Sequence, residues 1–432
     1  MGHNNDNLLR LRTGRQQNMK VLLLNTYTHG GAAVACRRLE NALQEDGVSV
    51  KLLHAGETGN RWPFYAERLS FLPYERDKSV RFSFSPANFG KNLSRHPWVQ
   101  EADVLHLHWI NQGFLSVEGI RELIDLGKPI VWTLHDMWAF TGGCHYSGDC
   151  THFQQSCGNC PYLGKPSPTD LSHRVWVRKQ KAYSPTLRIV TCSEWLANVA
   201  RSSSLLKDMQ ISSIPNPIDT TVFHPVTNEE KRNFWLSKNL NPDIPKLLFV
   251  AMNVGEERKG FRFLQEALQK LRAQHADLQL DIVVMGKVQE EALATLPYPV
   301  HALGMIRDQQ ELARIYGASD LFVIPSLEDN LPNTVMESLA CGTPVAGFAT
   351  GGIPEMVGHR QQGFIAPQAD SKTLAEGIYW ILRQADLPLL RRQSREKVEV
   401  QYANTIVAKR YLQVYEDMLV MNANASGKAA KK

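Results

Sequence analysis

The sequence predicts an α/β protein of two Rossmann-like, doubly wound domains in line, facing each other across a cleft. Three observations lead there. The chain has 432 residues, room for two or three domains of ordinary size. Short apolar runs of strand length alternate with amphipathic stretches of helix length, which implies crossover connections and a largely parallel sheet. The alternation stops at 215–225 (PNPIDTTVFHP), a segment with three prolines, and then begins again.

Taken in order, residues 1–18 (MGHNNDNLLRLRTGRQQN) lack periodicity and read as a disordered extension. Lys20–Asn25 (KVLLLN) has the length of a buried strand. Gly30 and Gly31 follow, then an amphipathic stretch with Val34, Leu39 and Leu43 that ends near Gly47, a helix stop. Further strands are predicted at 48–54, 103–109 and 129–136, with a helix at 117–126. Strands at 188–193 and 210–214 complete a first domain at 19–214. Residues 215–245 read as an extended linker. A second domain, 246–390, shows strands at 246–252, 278–286, 320–326 and 343–349. Its helices fall at 261–272, 311–316, 333–340 and 374–383. Residues 391–421 are predicted as helices returning to the first domain, and 422–432 as a disordered tail.

Composition excludes several classes. Hydrophobic residues are 43% and charged residues 21%, as in globular proteins. No apolar run reaches the ~18 residues of a membrane span, and the polar start has no signal-peptide core. The expectation is a cytoplasmic protein, with peripheral contact at the inner membrane as the one membrane option. A net charge of +5 is too mild to argue for nucleic acid, and suits an acidic small ligand or an anionic membrane surface. The seven cysteines include Cys36, Cys192 and Cys341; an odd count without a secretion signal points to a reducing compartment. Neither GxGxxG nor GxxxxGK[ST] occurs, so the usual nicotinamide and phosphate-loop chemistries drop out.

The polar motifs cluster at predicted strand ends, where open α/β sheets bind ligands. Gly30 and Gly31 let a backbone approach a ligand at a helix start that attracts anions, or simply make a tight turn. Arg258, Lys259 and Gly260 place two cations at a helix start, which the helix dipole disfavours unless an anion such as a diphosphate lies between them; the plain alternative is a solvated turn. Residues 325–345 (PSLEDNLPNTVMESLACGTPV) read as strand, acidic loop, helix and strand. Asp329 and Glu337 lie eight apart, and carboxylates suit vicinal sugar hydroxyls. Helix-start acidity explains Glu328 and Asp329 as well, and Glu337 less. Gly351 and Gly352, in GGIPEMV, again offer amides to phosphate. Cys144, Cys150, Cys157 and Cys160, with His145 and His152 among them, allow a structural zinc, unmetallated thiols or disulfides. Four thiolates would leave no open position, so a metal would shape the loop 141–165 rather than catalyse.

The segment 325–357 resembles the signature of retaining glycosyltransferases of family 4, which have the GT-B fold. The resemblance runs from about Met19 to about Leu390: the GG loop, the HD strand end, the NPID linker, the KG turn, the acidic motif and the GGxxE turn. WTLHDMWAFTGGCHYSGDC with EDNLP further resembles the colanic-acid type that builds bacterial exopolysaccharides. The resemblance implies transfer of a hexose from a UDP- or GDP-linked donor to a glycan or lipid-linked acceptor, with the acceptor on the first domain. Glu337 then matches the ribose carboxylate and Lys259 the diphosphate lysine. Asp329, one methylene shorter than the family glutamate, falls at the sugar carboxylate, with Glu328 beside it. His135 matches the histidine on the donor sugar, and Gly30 and Gly31 the loop near phosphates and acceptor. Asn330, Leu331, Gly351, Gly352 and Glu355 complete the donor pocket. A family arginine falls on Val254 and is missing, with Arg258 the substitute; Pro332 replaces a glycine and removes a backbone donor. No DxD is present, so the resemblance implies catalysis without a metal or other cofactor. The two departures at Val254 and Asp329 favour the alternative, a catalytically silent module that binds glycan or a partner protein.

Overall fold

The computed structural model describes residues 19–287 and 290–429, so the extension at 1–18 and residues 430–432 lie outside it. The chain divides into two compact units: residues up to Pro217 together with those from Asn404 onward, and Ile218 through Ala403.

The first unit holds six parallel strands: β1 (Lys20–Asn25), β2 (Ser49–His54), β3 (Val104–Leu107), β4 (Ile130–Leu134), β5 (Arg188–Thr191) and β6 (Gln210–Ser213). Their order is β2-β1-β3-β4-β5-β6. The period of two sorts their side chains onto two faces. Leu22, Leu24, Leu105, Leu107, Ile130 and Trp132 join one buried cluster; Val21, Leu23, Val104 and Val131 join the other. The second cluster is closed by Leu39 and Leu43 of the helix Gly31–Glu45 and by Val407, Tyr411, Leu412 and Tyr415 of the helix Asn404–Ala429.

The second unit holds β7 (Lys246–Asn253), β8 (Asp281–Lys287), β9 (Val300–Gly304), β10 (Leu321–Ile324), β11 (Val345–Phe348) and β12 (Gly363–Ala366), all parallel in the order β12-β11-β10-β7-β8-β9. Leu247, Phe249, Ile282, Val284, Leu321 and Val323 form its main core with Leu264, Leu268 and Leu271 of the helix Phe261–Gln274.

Several boundaries differ from the sequence reading. The 215–245 linker contains the helix Asn228–Ser237, set by a capping box of Thr227 and Glu230, and Trp235 buries its indole against the second unit, donating to the Ala318 carbonyl at 2.8 Å. The 391–421 helices do not travel together. Leu387–Gln401 belongs to the second unit, held by Arg395, whose guanidinium donates to the carbonyls of Thr220, Phe223 and Ala340. Only Asn404–Ala429 belongs to the first, and it continues through the stretch read as a tail from residue 422. The break comes where the Tyr402 carbonyl accepts from the Ile218 N–H at 2.9 Å. Strands β9 and β12 are additional: β9 is half-exposed throughout, and β12 has only four residues and opens on a glycine.

Tyr415 is fully buried and bonds His106 Nδ1 at 2.7 Å. Tyr415→Ala should lower the stability of the first unit by about 3–5 kcal/mol, and Tyr415→Phe by about 1 kcal/mol. Hydrogen exchange checks this: amides of β1 and β3 should lose protection, while those of β7 and β10 keep it.

Candidate functional site

In the second unit β10 ends at Ile324 and runs into the acidic loop, which leads to the helix Asn333–Ala340. Two glycine turns hold that loop from either side. Gly260, at φ +70°, sits so close that a Cβ would lie 1.8 Å from the Pro325 carbonyl oxygen; Gly351, at φ +55°, leaves 1.7 Å to that of Asp329. Both positions demand glycine, for backbone conformation and for space. Hydrogen bonds fasten the same contacts: the Leu327 N–H donates to the Arg258 carbonyl at 2.8 Å, and the Gly352 N–H to the Asn330 carbonyl at 2.7 Å.

The strapped loop brings opposite charges together. Lys259 Nζ lies 2.7 Å from Asp329 Oδ2, both groups mostly out of water. Arg258 turns to the Glu256 carboxylate and the Glu328 carbonyl. Burial pushes the Glu328 carboxyl above its usual range, and the Arg258 charge offsets only part of that. Asn330, Leu331 and Glu337 are buried, while Glu355 is half-buried and its carbonyl accepts from Lys397 at 2.6 Å. Val254, at the missing arginine, packs into the core. Pro332 caps the helix start without a side-chain bond.

In the first unit Gly30, at φ +90°, caps Gly31–Glu45, a helix start with no acidic residue in its first turn. His135 follows β4. Its Nε2 meets His108 Nδ1 at 2.9 Å and its Nδ1 meets Cys192 Sγ at 3.5 Å. Both ring nitrogens therefore have partners within the unit. Burial lowers the His135 imidazole to about 4, His106 to about 3 and His108 well below its ordinary value, which favours the neutral form of all three. His106 also bonds Thr133 Oγ1 at 2.7 Å, which in turn meets Tyr411 at 2.9 Å.

A second network was not legible in the sequence, which offered His145 only as a metal ligand. Asp136 Oδ2 accepts from Trp109 Nε1 at 2.8 Å and pairs with His145 Nδ1 at 2.7 Å; His145 Nε2 meets Ser85 Oγ at 3.0 Å. Burial alone would raise Asp136, but the His145 charge and the bonds from His145, Trp138 and Trp109 outweigh it and hold the carboxyl below its usual range. Around it His29, Tyr27, Trp109 and His145 stack in sequence, with ring centroids 5.2–5.5 Å apart. Such a row at the carboxyl ends of β1 and β3 offers flat apolar faces, with polar edges, to a ring-shaped ligand.

The four loop cysteines, with His152, line one small cavity, and all are free thiols. Burial pushes Cys144, Cys157 and Cys160 up to about 12, and Cys157 Sγ accepts from the Gly142 N–H at 3.1 Å. Among the described residues no three His, Cys, Asp or Glu side chains converge to hold a metal ion.

Two family models match the chain. One, described as Glycosyltransferase Family 4, covers residues 29–222; the other, Glycosyl transferases group 1, covers 244–384. The chain is similar to the Campylobacter jejuni N,N'-diacetylbacillosaminyl-diphospho-undecaprenol alpha-1,3-N-acetylgalactosaminyltransferase, at 30% identity over 45% of this chain and 50% of that one. It is also similar to the putative colanic acid biosynthesis glycosyl transferase WcaC of Escherichia coli K12, at 25% identity over 58% of this chain and 59% of that one. The chain thus spans about half the length of these curated relatives. The crystal structure of Anabaena HepE in complex with UDP superposes with a TM-score of 0.60 at 14% identity, over 92% of this chain and 100% of that one.

The neutral histidines set a pH dependence. Unfolded, they regain values near 6.5 and bind protons that the folded chain rejects. Stability should therefore be lost as pH falls from about 6.5 toward 4, each histidine adding a slope of up to about 1.4 kcal/mol per pH unit. Urea unfolding across that range measures it, and His106→Gln should flatten part of the slope.

Proposed function

We propose that this chain, which carries two glycosyltransferase domains and resembles family 4 of the GT-B type, is a retaining hexosyltransferase. It moves a sugar from a UDP- or GDP-linked donor to a glycan or lipid-linked acceptor in bacterial surface-polysaccharide synthesis, as a cytoplasmic protein in peripheral contact with the inner membrane. The observation that carries the reading is the Lys259 and Asp329 pair on the loop strapped by Gly260 and Gly351. UDP in the HepE complex and the undecaprenol acceptor in the Campylobacter enzyme's name support the classes of donor and acceptor.

The second unit binds the donor. When a diphosphate enters, the Lys259 ammonium exchanges Asp329 for the phosphate oxygens and leaves the carboxylate free for a sugar hydroxyl. The bond from the anomeric carbon to the leaving phosphate breaks, and its electron pair stays on the phosphate. Lys259 stabilises that charge, a task worth a few kcal/mol. The acceptor oxygen bonds to the same face of the anomeric carbon, and its proton passes to the leaving phosphate. Glu337 holds the ribose. The acceptor sugar lies on the Tyr27 and Trp109 rings of the first unit. Fixed cations carry the diphosphate charge, so no divalent ion is required.

Release of nucleoside diphosphate from a panel of UDP- and GDP-sugars, with and without chelator, tests this. One donor should be turned over in both conditions. Asp329→Asn should cut turnover by about 10²-fold, and Glu328→Gln much less, because Glu328 gives its carbonyl rather than its carboxylate to Arg258. Nucleotide binding with no release from any donor would instead identify a silent binding module.

A further inference from the structure

The helix Trp62–Phe71 in the first unit is amphipathic in reverse. Its one carboxylate, Glu67, is 2% exposed and turned inward, accepting the N–H groups of Ala87, Asn88 and Phe89 at 2.6–3.0 Å. Pro63, Ala66 and Phe71 fill the rest of the inward face. The outward face carries Trp62 (63% exposed), Tyr65 (50%) and Leu69 (58%), with Leu72 (43%) just beyond the helix. The spacing of three and four keeps these four on one stripe. Phe82, 66% exposed, lies beside them under the Arg68 guanidinium, 4.4 Å from its ring centroid.

The charge around the stripe is one-sided. Between Arg61 and Phe82 there are five cations and three carboxylates. Glu67 is buried, and the other two, Glu75 and Asp77, pair with Arg81 and Arg76. Arg61, over the Tyr65 ring at 5.8 Å, and Lys78 make no ion pair with a carboxylate among the described residues, and Arg68 acts on the Glu75 carboxylate only through space, that group being already paired with Arg81. Aromatic rings with cations at their margin match the boundary between lipid headgroups and acyl chains, where indole and phenol rings settle and basic residues meet anionic lipid. The fold also spends three hydrogen bonds on holding this face outward, so the exposure is built rather than frayed.

We propose that Trp62, Tyr65, Leu69, Leu72 and Phe82, rimmed by Arg61, Arg68 and Lys78, form the surface by which the first unit docks on an anionic bilayer. This names the surface behind the membrane contact in the functional reading, and rests on that reading for its purpose. Gly113, four residues beyond Trp109, lies directly against the Pro63 and Phe64 backbone of this helix, where a Cβ would come within 2.5 Å of the Phe64 nitrogen. The docked face therefore borders the aromatic row, which places a lipid-linked acceptor's sugar beside the membrane that holds its lipid.

Sedimentation of the full chain with vesicles tests the surface without donor or acceptor, so its outcome is separate from that of nucleotide release. Vesicles of phosphatidylcholine with phosphatidylglycerol should bind the chain, vesicles of phosphatidylcholine alone much less, and raised salt should weaken the binding. Trp62→Ser with Leu69→Ser should reduce partition by about tenfold or more, and Arg61→Gln by about fivefold. Val400→Ser, which removes an equally exposed apolar residue from the second unit, should change nothing. Circular dichroism and the melting temperature should match wild type for each variant. Equal binding to both vesicle types, or full binding by the double variant, would overturn the proposal. So would a wild-type dimer that the double variant dissociates in light scattering, since a second copy would then be the occupant.

Discussion

The second unit's site depends on backbone lying directly on backbone. At Gly351 and Gly260 a carbonyl oxygen occupies the place a Cβ would need. This close approach lets the turn after β7 and the turn after β11 hold the loop after β10 between them. Without it Lys259 and Asp329 would sit on separate, independently moving loops. An ion pair between exposed side chains is worth little; on a strapped loop its geometry is set in advance and only the ligand remains to be ordered. The neighbouring charges follow from the same strap. Arg258 is drawn to the Glu328 carbonyl because its own carbonyl is tied to Leu327.

The first unit solves a different problem. His106 and Thr133 are polar residues in the middle of parallel strands buried on both faces. A buried polar group without a partner costs about 1–3 kcal/mol. The partners come from the far end of the chain, as the hydroxyls of Tyr411 and Tyr415 reach Thr133 and His106. The last helix thus supplies both apolar cover and the hydrogen bonds that make polar strand residues tolerable. Two residues further on, just past the strand ends, His108 and His135 share one hydrogen bond beyond that network.

Most of the architecture was legible because it rests on local pattern. Runs such as KVLLLN and KLLFVAM announce buried strands, and Gly30, Gly260 and Gly351 mark turns that need them. The strands missed, β9 and β12, are short or half-exposed, so neither alternation nor a continuous apolar run marks them. The linker helix was hidden by the prolines before it, although Thr227 and Glu230 spell its capping box. The division of the last helices was hidden because both are amphipathic; only the carbonyls that meet Arg395 decide which unit keeps Leu387–Gln401. In the site, motif residues could be named one at a time. The Asp136, His145 and Ser85 network could not, since its members come from three separate segments that only the folded sheet edge assembles.

The aspartate at position 329 departs from the family motif, and the backbone around it answers the departure. Against the family pattern it is a loss of reach by one carbon–carbon bond, about 1.5 Å. In the fold that loss has a local answer. The Asp329 carbonyl is pressed against Gly351 and the loop is tied to the Arg258 carbonyl, so Lys259 comes to the shorter side chain. Glu328, the longer acid one residue earlier, projects to a place where burial disfavours its charge. A carboxylate is better accommodated next to a lysine than in a dry pocket. Position 329 therefore sets its carboxylate against the Lys259 ammonium while its neighbour's lies in a drier place, and side-chain length matters less there than where the backbone is held.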